Sequence, residues 1–298
     1  MTTQDTQACT LAAIDIGSNA ARLLIKDVET DSTGKQTLRK RLFLRIPLRL
    51  GMDVFSNGKI SDKRAEEFVR TIKAYKQLMK VYHVDRYRAC ATSAMRDAAN
   101  GRELMEKAAR KTGLTLEIIS GDEESQIVYD NHLPLMTGPG NFIYVDVGGG
   151  STEVTLVRAG EKVFSHSYNI GTIRLLSQQV SQETTDTMIA DIARVTKGLD
   201  DITIIGSGGN INKLYRLSEK DGGTGNILTV DILRKLHGIL SEMSVEKRME
   251  TYNLKPDRAD VIVPAAYIFL LVADNSGAKK ILVPNLGLAD GIINDLMV

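Results

Sequence analysis

The stretch Ile14-Asp15-Ile16-Gly17-Ser18-Asn19 is echoed 131 positions later by Val145-Asp146-Val147-Gly148-Gly149-Gly150. Each copy is an apolar run carrying one aspartate that ends in a turn of small residues, and each is followed by a second apolar run. A run that is apolar at successive positions reads as a strand buried on both faces. The repeat distance is about one domain, so the chain reads as a duplicated α/β unit. PLMTGPGN at 134–141 interrupts the pattern and marks the expected boundary.

Between the copies, the strands after residue 11 are expected to continue as a meander to about residue 50. A helix follows over 62–81, capped by Ser61, with Ala65, Phe68, Val69, Ile72, Tyr75, Leu78 and Met79 at helical spacing. Next come a strand at 87–91, a helix at 102–111 closed by Gly113, a strand at 114–119 and a helix at 122–132. After the second copy the pattern gives a polar-faced helix at 183–198, an apolar strand at 202–205 and a third turn, Gly206-Ser207-Gly208-Gly209-Asn210. Short helices fill most of the remainder.

The 298 residues are 43% apolar, 25% charged and 5% aromatic, enough for two cores. Lys and Arg number 38 against 37 Asp and Glu, a balance that gives no bulk attraction to nucleic acid or to an anionic membrane. Cys9 and Cys90 cannot build a disulfide framework, and no C-x-x-C is present for zinc or redox chemistry. The longest apolar run, 261–273, contains Pro264 and falls short of the roughly 18 residues a membrane span needs. The first ten residues lack the basic and apolar regions of a signal peptide. The expectation is a soluble, cytoplasmic protein.

Any one glycine turn is explained by a tight bend. Three, two of them near-duplicates, favour phosphate binding, because glycine lets backbone amides converge on phosphate oxygens. Asp15 and Asp146 stand just before two of the turns, where each could hold Mg²⁺ against a bound phosphate. No G-x-x-x-x-G-K-[ST] occurs, and Ile211 occupies the third-glycine place of a dinucleotide fingerprint. Ser120 and Glu123 have capping-box spacing. Glu124, about 100° further round the helix, then faces a different way and is a candidate general base. Arg96 follows a strand in a place suited to gripping phosphate, although a lone exposed loop arginine is more often simply solvated. Arg39, Arg41, Arg45 and Arg49 would share one face of an extended strand, as a polyanion track or as a solvated face. The four histidines are scattered singly and receive no role.

Taken together, AAIDIGSNAARLLI at 12–25, ATSAMRDAANG at 91–101, IISGDEESQIVY at 118–129, YVDVGGGSTEVTLV at 144–157, IGTIRL at 170–175, IIGSGGNINKL at 204–214 and DRADVIVPAAYI at 257–268 resemble the exopolyphosphatase / guanosine pentaphosphate phosphatase family of the actin-like superfamily. The resemblance implies two ribonuclease-H-like α/β domains, 1–136 and 137–298, with an interdomain cleft and a final helix at 288–298 that packs back on the first. It implies Mg²⁺-dependent release of the terminal phosphate of inorganic polyphosphate, guanosine pentaphosphate or both, and a homodimer. Residue by residue, the family's catalytic glutamate falls on Glu124, its second glutamate on Glu153 and its phosphate-gripping arginine on Arg96. Its metal-associated aspartate falls on Asp146. The implied phosphate cradle is Gly17, Ser18, Asn19 and Arg22, then Gly148, Gly149, Gly150, Ser151 and Thr152, then Ser207, Gly208 and Gly209. Ser125 replaces the usual alanine after the base. Ala289-Asp290 replaces the usual Arg-Glu, which removes one basic residue. The chain resembles the short, two-domain form of the family. Two rivals stay in view: a superfamily kinase or ATPase with an adenosine pocket at 206–210, and a polyphosphate or guanosine pentaphosphate sensor with little turnover.

Overall fold

The computed structural model describes residues 9–132, 140–219 and 225–297. The chain divides into two compact units, Met1–Ser120 with Leu288–Val298, and Gly121–Gly287. The boundary expected at 136/137 lies outside the described residues. The helix Gly121–His132 goes with the second unit because it packs on two strands of that unit's sheet.

The first unit is built on β1 (Cys9–Ile16), β2 (Ala21–Thr30), β3 (Gln36–Ile46), β4 (Arg86–Ala91) and β5 (Glu117–Ile118), in the order β3-β2-β1-β4-β5. β1 is buried along nearly its whole length, as its unbroken apolar run requires, and it pairs antiparallel with β2 and parallel with β4. One face is covered by the helix Asp62–Val81, whose Ser61 cap accepts from the amide of Arg64. Tyr75 from that helix is buried and donates its hydroxyl to the carbonyl of Ala21 at 2.9 Å. The final helix, Leu288–Asp295, lies on β1 and β2 and is tied down by ion pairs from Lys26 to Asp290 at 2.7 Å and from Arg88 to Asp295 at 3.2 Å.

The second unit carries β6 (Asn141–Val147), β7 (Thr152–Arg158), β8 (Glu161–Tyr168), β9 (Ile202–Ser207), β10 (Ile227–Thr229) and β11 (Lys280–Leu282), in the order β10-β11-β9-β6-β7-β8. The run β8-β7-β6-β9-β11 repeats β3-β2-β1-β4-β5 in order and in strand direction. Asp15 and Asp146 therefore occupy matching places in two separate sheets. Helices Gln182–Thr196, Val230–Ser241 and Ile262–Ser276 close the core. The helical stretch Pro256–Ser276 has the length and mean hydropathy, 1.4, of a membrane span. Its apolar side chains Ala265, Ala266, Ile268, Phe269 and Val272 are buried in this core, which accounts for the composition.

The four arginines do not share a face. The pairing of β2 with β3 slips at Arg41, so Arg45 lies opposite Arg22 while Arg39 lies opposite Asp27, on the other side of the sheet. Arg49 is off the strand, in a left-handed conformation before the helix Leu50–Asn57. Arg39 and Arg41 both bind the buried carboxylate of Asp27, at 2.9 and 2.7 Å. Burial opposes the charge on Asp27. The hydrogen bonds from Arg41 and Thr10 and the two guanidinium charges outweigh it, and hold the carboxyl below the ordinary carboxylate range. A depressed folded-state value gives stability that is present above the unfolded value, about 3.9, and is lost as the pH falls through the folded one. The melting temperature should therefore drop as pH is lowered from about 5 to 3, and Asp27→Asn should flatten that part of the profile in thermal melts.

Candidate functional site

Each unit places its sequence-predicted residues at the carboxyl ends of two parallel strands, the usual ligand position of open α/β sheets. In the first unit these strands are β1 and β4. The turn after β1 closes with the Gly17 amide on the Ala20 carbonyl at 3.1 Å, and Ser18 meets Ser93 hydroxyl to hydroxyl at 2.8 Å. Asp15 and Arg22 are cross-strand neighbours and form an ion pair. Arg96 lies in the short helix Ser93–Asp97 rather than on a loop, and one of its guanidinium nitrogens donates to the Ile119 carbonyl at 2.9 Å.

In the second unit, β9, β6, β7 and β8 present one row of side chains on one face: Ser207, Asp146, Glu153 and Ser167. Ser167 donates its hydroxyl to Glu153 at 2.8 Å. One step back on the same face, two residues before Asp146, stands Tyr144, fully buried. The helix Gly121–His132 covers this part of the sheet. Glu123 is exposed, whereas Glu124 is only 9% exposed, so the inward member of the pair is Glu124. Burial, and then the negative charges of Asp146, Glu153 and Glu124, hold the Tyr144 hydroxyl well above its ordinary value against a contact with Ser207 that lowers it.

The second glycine turn is braced from behind. The carbonyls of Gly148 and Gly149 accept the amides of Thr172 and Ile173, at 3.0 and 2.8 Å, and that of Gly150 accepts Nε of Arg174 at 2.8 Å. Among the described residues nothing accepts from the amides of Gly149, Gly150 and Ser151. Three amides of this kind in one turn are an anion cradle. Thr152 is fully buried and its hydroxyl donates to the Ile170 carbonyl, so this side chain braces the turn. At the third turn, Gly208 has φ 106°, and a Cβ there would come within 3.2 Å of an Asp146 oxygen. Gly206 is packed by Ile211, Phe269 and Ile281 and is structural.

Three residues were not found from sequence. Arg258 lies against Gly209, where a Cβ would meet its guanidinium at 2.8 Å, and it donates to Asn210 at 2.9 Å. Gly171 presses on the second turn. His132, one of the histidines given no role, is fully buried with its ring 4.8 Å from that of Tyr144.

No three His, Cys, Asp or Glu side chains close on one point among the described residues. Mg²⁺ rarely needs such a cage. It keeps several waters and takes one or two carboxylates together with substrate phosphates. The facing Asp146 and Glu153 fit that demand. Asp15 is paired with Arg22.

Two sheets of one topology, each carrying an acidic strand followed by a small-residue turn, define the actin-like, ribonuclease-H-like architecture. The family model of the Ppx/GppA phosphatase family matches residues 43–298, and the chain belongs to that family. It is 28% identical to Exopolyphosphatase 2 of Mycobacterium tuberculosis, over 95% of this chain and 97% of that protein. It is 27% identical to a bifunctional 3-dehydroquinate synthase/phosphatase of Fusobacterium nucleatum, over 91% of this chain and 44% of that protein. To the guanosine-5'-triphosphate,3'-diphosphate pyrophosphatase of Aeromonas hydrophila it is 23% identical, over 96% of this chain and 59% of that protein. The chain thus spans less than two thirds of the last two relatives. The crystal structure of the Aquifex aeolicus Ppx/GppA family member is similar at a TM-score of 0.75 and 26% identity, covering 97% of this chain and 98% of that one.

Proposed function

We propose that this protein hydrolyses the terminal phosphoanhydride of inorganic polyphosphate, guanosine pentaphosphate or both by attack of water. The observation that carries this reading is Glu124 buried on the helix that packs against β7 and β8, in the unit where Asp146 and Glu153 are cross-strand neighbours and the next turn presents the amides of Gly149, Gly150 and Ser151. The names of the mycobacterial and Aeromonas relatives support the substrate class.

In this account the turn amides of the second unit grip phosphate oxygens, and Ser18, Asn19, Arg22 and Arg96 are the phosphate-binding candidates of the first unit. Glu124 takes the proton from the attacking water. Mg²⁺, when bound by Asp146 and Glu153, would neutralise charge on the phosphoryl oxygens. Positioning and electrostatics then supply most of the rate enhancement, as is usual for phosphoryl transfer. A homodimer belongs to this reading on the family resemblance alone.

The kinase or ATPase reading needs an adenosine pocket at 206–210. The guanidinium of Arg258 lies against Gly209 and donates to Asn210 in that place. A sensor has no use for a buried base at 124. Initial rates of phosphate release from polyphosphate, guanosine pentaphosphate and ATP, assayed side by side, separate the three. Polyphosphate or guanosine pentaphosphate should be turned over well ahead of ATP, with activity lost to a chelator and restored by Mg²⁺. Turnover of ATP alone would overturn the proposal.

A further inference from the structure

The row of side chains across the second sheet has a counterpart in the first, and the two differ in charge. In the first unit Asp15, Arg22 and Arg45 stand opposite one another on β1, β2 and β3, and Asp15 is answered by the guanidinium of Arg22. In the second unit the matching places on β6, β7 and β8 hold Asp146, Glu153 and Ser167. The neighbour of the aspartate is there a second carboxylate, and like charges directly opposite one another on a sheet repel. Glu153 is only 2% exposed, so water does little to relieve that repulsion. The bond from Ser167 Oγ to Glu153 Oε1, at 2.8 Å, comes from β8, on the side of β7 away from Asp146. It therefore holds the Glu153 carboxylate without crowding the acid pair. A hydroxyl that donates to a carboxylate makes a charge-assisted bond, stronger than one between neutral groups. Two residues away on the same face, Ser165 makes the neutral version of the contact, hydroxyl to hydroxyl with Thr155 at 2.9 Å. The edge strand thus offers two hydroxyls on this face, and of the two it is Ser167 that is bonded to a carboxylate of the site.

We propose that Ser167 is a positioning residue for Glu153: its hydroxyl fixes the orientation of that carboxylate beside Asp146, so that the two stand as a preformed acidic pair. A carboxylate that can turn away from its like-charged neighbour has to be brought back each time the site is used, and one already held by a donor does not. Ser167 contacts neither the attacking water nor the phosphate in this account; it acts only through the Glu153 oxygen it bonds, and its hydroxyl keeps its proton throughout. This inference rests on the reading of Asp146 and Glu153 as the acidic pair of the site.

The test is a double-mutant cycle on Ser167→Ala and Glu153→Gln, with Ser167→Thr and Ser165→Ala beside it. Each protein is read for kcat and KM on inorganic polyphosphate, and for melting temperature with and without Mg²⁺. Ser167→Ala should lower kcat about 10- to 100-fold, the usual effect of removing a group that orients a ligating carboxylate, with KM within about twofold. Without Mg²⁺ it should melt close to the natural protein, and the rise in melting temperature on adding Mg²⁺ should shrink. Ser167→Thr keeps the hydroxyl and should recover most of the rate. Ser165→Ala removes a hydroxyl from the same strand and face, bonded to Thr155 instead, and should leave kcat unchanged. On top of Glu153→Gln, Ser167→Ala should cost less than about twofold more, because its effect runs through that carboxylate. A Ser167→Ala protein with natural kcat, or with an unchanged response to Mg²⁺, overturns the proposal. So does a Ser167→Thr protein as slow as Ser167→Ala, and so do losses that multiply in full in the double variant, since Ser167 would then act on something other than Glu153. If Glu153→Gln keeps the natural rate, the reading of the acidic pair falls. If Glu153→Gln is slow while Ser167→Ala matches the natural protein, only the positioning role falls.

Discussion

Glu124→Gln is expected to lower kcat by about 10²–10⁴-fold, the usual contribution of a general base, while leaving substrate affinity nearly unchanged. The amide keeps the length, the shape and one acceptor oxygen of the carboxylate but cannot take a proton. In the proposed reading phosphate binding falls to other groups, among them the amides of residues 149–151, so binding has no reason to fall. A loss confined to kcat marks an interaction made only in the transition state. Glu123→Gln should stay near natural activity, because Glu123 is exposed on the outer side of the same helical turn. Replacing a buried charged group by a neutral one of equal volume should not lower the melting temperature, and thermal melts check that the loss is chemical.

Gly171→Ala should lower activity strongly by adding a single methyl group. Gly171 has φ −138°, a backbone conformation that any residue can adopt, so only space forbids a side chain there. The added Cβ would stand 2.4 Å from both the Gly149 oxygen and the Gly150 nitrogen, which are main-chain atoms with no rotamer to change. Either 170–174 or the turn itself must move. If the turn moves, the amides of Gly149, Gly150 and Ser151 leave their places. A displacement of about 1 Å in positioning groups costs on the order of 10²-fold in rate. Overpacking of this kind also costs about 1–3 kcal/mol of stability, or roughly 2–10 °C in melting temperature for a unit of this size. Gly238→Ala is the control. It lies inside the helix Val230–Ser241 with nothing within 4 Å of an added Cβ, and should be neutral or stabilising.

The parts of the fold that read clearly from sequence are those whose burial is local and complete. β1 and β6 are apolar on both faces because both faces are covered, and the helix Asp62–Val81 begins at Ser61 and follows its 3.6-residue period throughout. β8, Glu161–Tyr168, is an edge strand with one wet face, so its polar residues hid it. β10 and β11 are three residues each and exist through their neighbours. The common face expected for the arginines failed for a similar reason, since a slip in pairing with β2 at Arg41 cannot be seen in β3 alone.

The site divides the same way. Glu124 was legible because two adjacent helical residues cannot both face inward. Asp146 and Glu153 were legible from the motif, and the sheet register makes them direct neighbours. Gly171 depends on main-chain atoms more than twenty residues away, and Arg258 on a turn nearly fifty residues away. No local pattern announces either.

The central claim is that water, activated by Glu124, attacks the terminal phosphate. It is tested most directly by initial rates of phosphate release from inorganic polyphosphate and from guanosine pentaphosphate, with Mg²⁺ present, for the natural protein, Glu123→Gln and Glu124→Gln at equal concentration. The account predicts comparable rates for the first two and a fall of at least about a hundredfold for Glu124→Gln on both substrates. A Glu124→Gln protein that releases phosphate at the natural rate, or an inactive Glu123→Gln beside it, would contradict it.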